Sequence, residues 1–153
     1  MKFIKTLIFA LIFFSSSVQA QGVADNLITL RINHSFDEAM IAVKSTLNDY
    51  GYKIAHIQKC DGGLTDMGYK TKNYKLIFFG KLDEIRTLSK TYPAIIPFVP
   101  LKLAVIQEEG SVILVALNPM SLSDFFSEKK LHTQFKLWEK DLKALFKEMK
   151  TNT

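Results

Sequence analysis

The residues best suited to chemistry fall in one short stretch, His56, Cys60 and Asp61, with His34 further upstream. Imidazole, thiolate and carboxylate all ligate zinc or copper, so these three form the candidate metal or thiol site. Their spacing matches no recognised metal pattern, because no second cysteine and no histidine cluster accompanies them. A thiol that acts as a nucleophile needs a lowered pKa, supplied by a nearby cation or a helix N-terminus. Lys59 is adjacent in sequence, but neighbours on an extended chain point to opposite sides. Cys60 is the only cysteine. It can make no internal disulfide and has no resolving partner for thiol exchange, although it could join two copies.

Other catalytic signatures are missing. Gly62-Gly63 is too short to cradle a phosphate, and there is no P-loop, dinucleotide fingerprint, nucleophile elbow or His-Glu-x-x-His. The acid pairs Asp83-Glu84 and Glu108-Glu109 fall at a helix start and in a turn, where solvation and the helix dipole account for them. No constellation argues for an enzyme, and no cofactor is predicted beyond the copper or zinc that the His56 trio could take.

The elements that must position these residues are read from periodicity. Leu27 to Ile32 alternates as a half-buried strand. Ser35-Phe36-Asp37-Glu38 is a capping box. After it, Phe36, Met40, Val43, Leu47 and Tyr50 recur at helical spacing up to Gly51, the expected left-handed cap. Tyr52 to Ile57 and Tyr74 to Phe79 read as strands, separated by loop chemistry from Lys59 to Asn73. Asp83 to Ser89 predicts a short helix. Tyr92 to Pro100 is apolar but holds three prolines, so it is no central strand. Leu101 to Gln107 and Val112 to Leu117 form a hairpin through Glu108-Glu109-Gly110-Ser111, and Asn118-Pro119 ends it. From Ser123 to Met149 a second long helix is expected, with Leu131, Phe135, Trp138, Leu142, Leu145 and Met149 buried. The order β-α-β-β-(short helix)-β-β-α is an α+β fold, an antiparallel sheet of about five strands backed by two helices.

One pattern exceeds what that fold needs. Val112 to Leu117 is apolar on both faces, and Tyr74 to Phe79 and Leu101 to Gln107 nearly so. With both long helices on one side, the other face of an antiparallel sheet is ordinarily polar. Something has to cover it. The Tyr92–Pro100 segment is the first expectation, and a partner subunit or a small apolar ligand are the others. Tyr92, Ile95, Ile96 and Phe98, with Phe79 on the third strand, are therefore the candidate ligand or dimer surface.

The first twenty residues read as a secretory signal: Met1, Lys2 and Lys5, an uncharged apolar run from Thr6 to Phe14, and small residues ending at Ala20. The run is far short of the ~18 residues that span a bilayer. Cleavage would leave a single domain, 21–153, with no membrane span, in the periplasm or outside the cell. Its net charge of +3, from 18 cations and 15 acids, is too small for a nucleic-acid binder.

Gly51-Tyr52, Phe78-Phe79-Gly80, Val99-Pro100-Leu101-Lys102 and Asn118-Pro119, in that order, make the region from Ser35 to Leu122 resemble the domain-of-unknown-function 302 family. The resemblance implies a TATA-binding-protein-like fold, often found as a homodimer, with no activity to carry over. The chain differs from the family where members tend to carry Ile-Asp-His, here Ile57-Gln58-Lys59-Cys60, and Asn-Pro, here Lys81-Leu82. The sequence thus points to an exported, non-enzymatic binding or interaction module, its ligand or extracytoplasmic protein partner unnamed. A redox or metal-handling protein using Cys60, His56 and Asp61 is the alternative.

Overall fold

The computed structural model describes residues 26–60, 68 and 73–151. The leader, Asp61 and Gly62-Gly63 lie outside the described residues. Five strands, β1 (Leu27–Ile32), β2 (Lys53–Lys59), β3 (Tyr74–Gly80), β4 (Leu101–Glu108) and β5 (Ser111–Leu117), form one antiparallel sheet in the order β1-β5-β4-β3-β2. Helix α1 (Phe36–Asp49) follows β1, α2 (Leu82–Thr91) follows β3, and α3 (Lys129–Thr151) closes the chain. The helices pack on one side of the sheet, which makes this the expected α+β fold.

Helix α1 starts where the sequence places it. The backbone N–H of Ser35 donates to the Glu38 carboxylate at 2.9 Å, and the Glu38 N–H donates to the Ser35 hydroxyl at 3.4 Å. The Ser35 hydroxyl also donates to the Glu38 carboxylate at 2.7 Å, and that bond first, then the one from the Ser35 N–H, holds the Glu38 carboxyl below its ordinary pKa. Gly51, at φ +75°, takes the left-handed turn after which Tyr52 leads into β2. A side chain there would strain the backbone.

The inward face of the sheet carries Ile32, Val112, Leu114, Ala116, Leu101, Leu103, Val105, Ile77 and Phe79, all buried. Against it lie Met40, Val43 and Leu47 of α1 and Leu131, Phe135, Trp138, Leu142 and Leu145 of α3. Strand β2 joins this core by an irregularity. Ile54 pairs with Phe79, His56 with Phe78 and Ile57 with Ile77, so the ladder shifts between Ile54 and His56. A regular strand would send residues three apart to opposite faces. The bulge at Ala55 turns both Ile54 and Ile57 inward and leaves His56 outward.

Helix α3 begins at Lys129, later than the expected Ser123. A 3₁₀ turn, Pro119–Asp124, comes first, capped by the Asn118 side chain, which accepts from the Met120 N–H at 3.1 Å. Phe125 and Phe126 then stack on Phe98, and Phe126 reaches Phe135, so the chain is held across the helix layer before it coils.

Candidate functional site

The Tyr92–Pro100 segment does not cover the outer face. It folds as a 3₁₀ turn, Pro93–Phe98, against α2 at the end of the sheet. Ile95 is completely buried in the core, and Phe79 likewise at 0% exposure, so neither can form part of a surface. Tyr92 and Phe98 are half-buried, Phe98 between Phe125 at 5.8 Å and Phe126 at 5.7 Å between ring centres. Of the five surface candidates only Ile96 is largely exposed, at 55%. The physical reason is the proline-shaped turn, which directs alternate side chains inward onto the helix layer rather than laying the segment flat.

Of the metal or thiol candidates, Asp61 lies outside the described residues, and His56 and Cys60 are drawn apart. His56 and Cys60 stand on the same side of β2, because the Cys60 N–H continues the ladder to the Tyr74 carbonyl at 3.4 Å. Four residues along a strand is about 13 Å, too far for both to reach one ion whose bonds are about 2.0–2.3 Å. His56 rests against the Phe78 ring at 5.9 Å. The Cys60 thiol lies 3.8 Å from the Gln58 carbonyl. Among the described residues no group of three or more His, Cys, Asp and Glu side chains could hold a metal.

A polar cluster has formed where the chain carries Lys81-Leu82. The Lys81 ammonium donates to Asp141 at 2.9 Å, the Tyr52 hydroxyl donates to the same carboxylate oxygen at 3.0 Å, and the ammonium lies over the Tyr52 ring at 4.8 Å. Burial first, then the Asp141 charge, pushes the Tyr52 hydroxyl well above the usual tyrosine range. A phenol held in its neutral form by a carboxylate it already serves is a tie between β2, β3 and α3 rather than a proton-transfer group.

What remains is the outer face itself. Cross-strand pairing puts Thr29 and Arg31 of β1, Ile113, Val115 and Leu117 of β5, Lys102, Ala104, Ile106 and Glu108 of β4, Tyr74, Leu76 and Phe78 of β3, and His56 and Gln58 of β2 together on it. Its centre is Leu76, Phe78, Ala104, Ile106, Ile113 and Val115, each half-buried. Charge is confined to the ends. Lys102 lies over Phe78 at one end, and Glu108 pairs with Arg31 at 2.8 Å at the other. Among the described residues no helix or turn packs on this side. The two-faced apolar pattern of β3, β4 and β5 was the sequence signal for these residues. The candidate set drawn from it went to the proline segment instead.

This architecture has relatives. The family model described as Domain of unknown function DUF302 matches residues 28–149, from β1 to the last turn of α3. The chain belongs to the DUF302 family. The DUF302 fold is also seen in the crystal structure of an uncharacterized conserved protein from Bacillus stearothermophilus, at a TM-score of 0.72 and 18% identity. That match covers 79% of this chain and 95% of the other. At such identity the likeness between the two DUF302 chains concerns the fold alone. No curated protein matches the chain.

Proposed function

We propose that the protein is an exported, non-enzymatic interaction module that works through the outer face of its sheet, and that a second copy of the chain covers that face. The carrying observation is the apolar centre of the face, Leu76, Phe78, Ala104, Ile106, Ile113 and Val115, with charge only at its ends. An antiparallel sheet that faces water on one side carries polar residues there. Contiguous apolar surface on a soluble domain marks a site of association.

Size supports a second copy as the occupant. With strands about 4.8 Å apart and about 3.3 Å per residue, the face spans roughly 24 by 20 Å. Two such faces together remove on the order of 1,000 Å² from water, which is where specific interfaces begin. The basic, apolar and small-residue zones of residues 1–20 support delivery to the periplasm or beyond.

Mass spectrometry of the mature protein from its own compartment tests the reading, first under native conditions and then denatured without reductant. A native dimer that separates into monomers of bare sequence mass beginning at Gln21 is expected. A bare native monomer would contradict it. A monomer that sheds extra mass on denaturation would put a small apolar ligand on the face in place of the second copy.

A further inference from the structure

Resting on the reading that a second copy covers the outer face, we infer how the two copies are aligned: across a twofold axis that reverses strand direction, seating Ile106 of each copy on Ala104 of the other and Lys102 on Glu108.

β4 is the central strand of the five, so any twofold contact between two such faces is centred on it or close by. Its outward residues in order are Lys102, Ala104, Ile106 and Glu108: a cation, a small residue, a large one and an acid. An axis lying between the sheets allows two arrangements with β4 over β4. If the axis runs along the strands, they stack parallel. Lys102 then faces Lys102, Glu108 faces Glu108, and Ala104 faces Ala104 across a gap while the Ile106 side chains collide. If the axis runs across the strands, they stack antiparallel. Lys102 then faces Glu108 at both ends, and each Ile106 enters the dip left by the methyl of Ala104.

The neighbouring strands agree with the second arrangement. Ile106 lies between Tyr74 and Ile113, and Ala104 between Leu76 and Val115, so of the two central rows of the face one carries the larger side chains and the other the smaller. Reversal places large on small, as interdigitating layers require. Like charges brought together at an interface cost several kcal/mol, so the parallel arrangement is disfavoured twice over. Arg31 shares Glu108, which leaves the acid end able to accept a second cation in a two-cation, one-acid cluster.

Sedimentation equilibrium of charge variants of the mature chain tests the alignment. Lys102→Glu is expected to raise the dimer dissociation constant roughly tenfold or more, since two unlike pairs become two like ones. Adding Glu108→Lys to it is expected to restore most of the loss, because the pairs are then reversed rather than removed. Both positions are at the surface, so an unchanged far-UV spectrum verifies folding. If the double variant is as weak as the sum of the two single ones, the alignment is wrong, although the face can still be the interface. If Lys102→Glu and Ile106→Asp both leave a dimer intact, the interface lies elsewhere and the reading beneath the alignment fails with it.

Discussion

Ile106→Asp should convert the proposed dimer into a folded monomer. Ile106 lies on the outer side of β4 between Tyr74 of β3 and Ile113 of β5. In a single copy an aspartate there projects into water and disturbs none of the buried side chains beneath the sheet. Between two copies, each would bury an uncompensated carboxylate. At about 2 kcal/mol or more apiece, the dissociation constant should rise roughly a thousandfold. The far-UV spectrum should be unchanged. The thermal midpoint should fall and lose its dependence on protein concentration, since the linkage between folding and association has been cut. A dimer of unchanged strength would remove the outer face from the account.

The second large effect belongs to the opposite side of the sheet. Trp138 is the only tryptophan, fully buried in α3. Its ring packs on Phe135 at 6.0 Å between centres, and its indole N–H donates to the Glu84 carboxylate of α2 at 3.2 Å. It therefore fills the core and ties two helices together. Trp138→Ala should cost about 3–5 kcal/mol from the transfer of the ring and the cavity it leaves. That is a large part of the 5–15 kcal/mol typical of a domain, and corresponds to about 10–20 °C in the thermal midpoint. Circular dichroism is the measurement of choice, at fixed protein concentration, because the variant lacks the fluorophore. Trp138→Phe should recover most of the loss. A decrease of less than about 1 kcal/mol for Trp138→Ala would mean that the core closes over the gap, contrary to interior packing.

How legible each part was depended on how local its cause is. The cap of α1 was readable because Ser35 and Glu38 satisfy one another within four residues. The core stripe of α3 was readable because helical spacing from Leu131 to Met149 selects one face, and those residues are buried. The start of α3 was not. Phe125 and Phe126 keep an apolar pattern running back from the helix, but they are held by Phe98, a partner distant in sequence. The bulge in β2 was hidden for a related reason. Ile54 and Ile57 cannot both face inward in a regular strand, and only pairing with Phe79 and Ile77 shows where the extra residue goes.

The candidate site divides in the same way. That β3, β4 and β5 have two apolar faces was plain from alternation, and so was the need for a cover. The Tyr92–Pro100 segment was the wrong cover, because composition shows that a segment is apolar without showing which way it turns. Ile95 turned inward. His56 and Cys60 were close in sequence, but the extended chain sets them apart where a helix or tight loop would gather them.

The most direct test of the central claim is hydroxyl-radical footprinting of the mature chain across a concentration series spanning the dissociation constant. Leu76, Phe78, Ile106 and Ile113 are expected to lose reactivity as concentration rises. Ile41 and Leu137, which are 67% and 51% exposed on the helices of the other side, should remain constant as internal controls. Equal labelling of the outer face at every concentration would show it open to water, and would contradict the account.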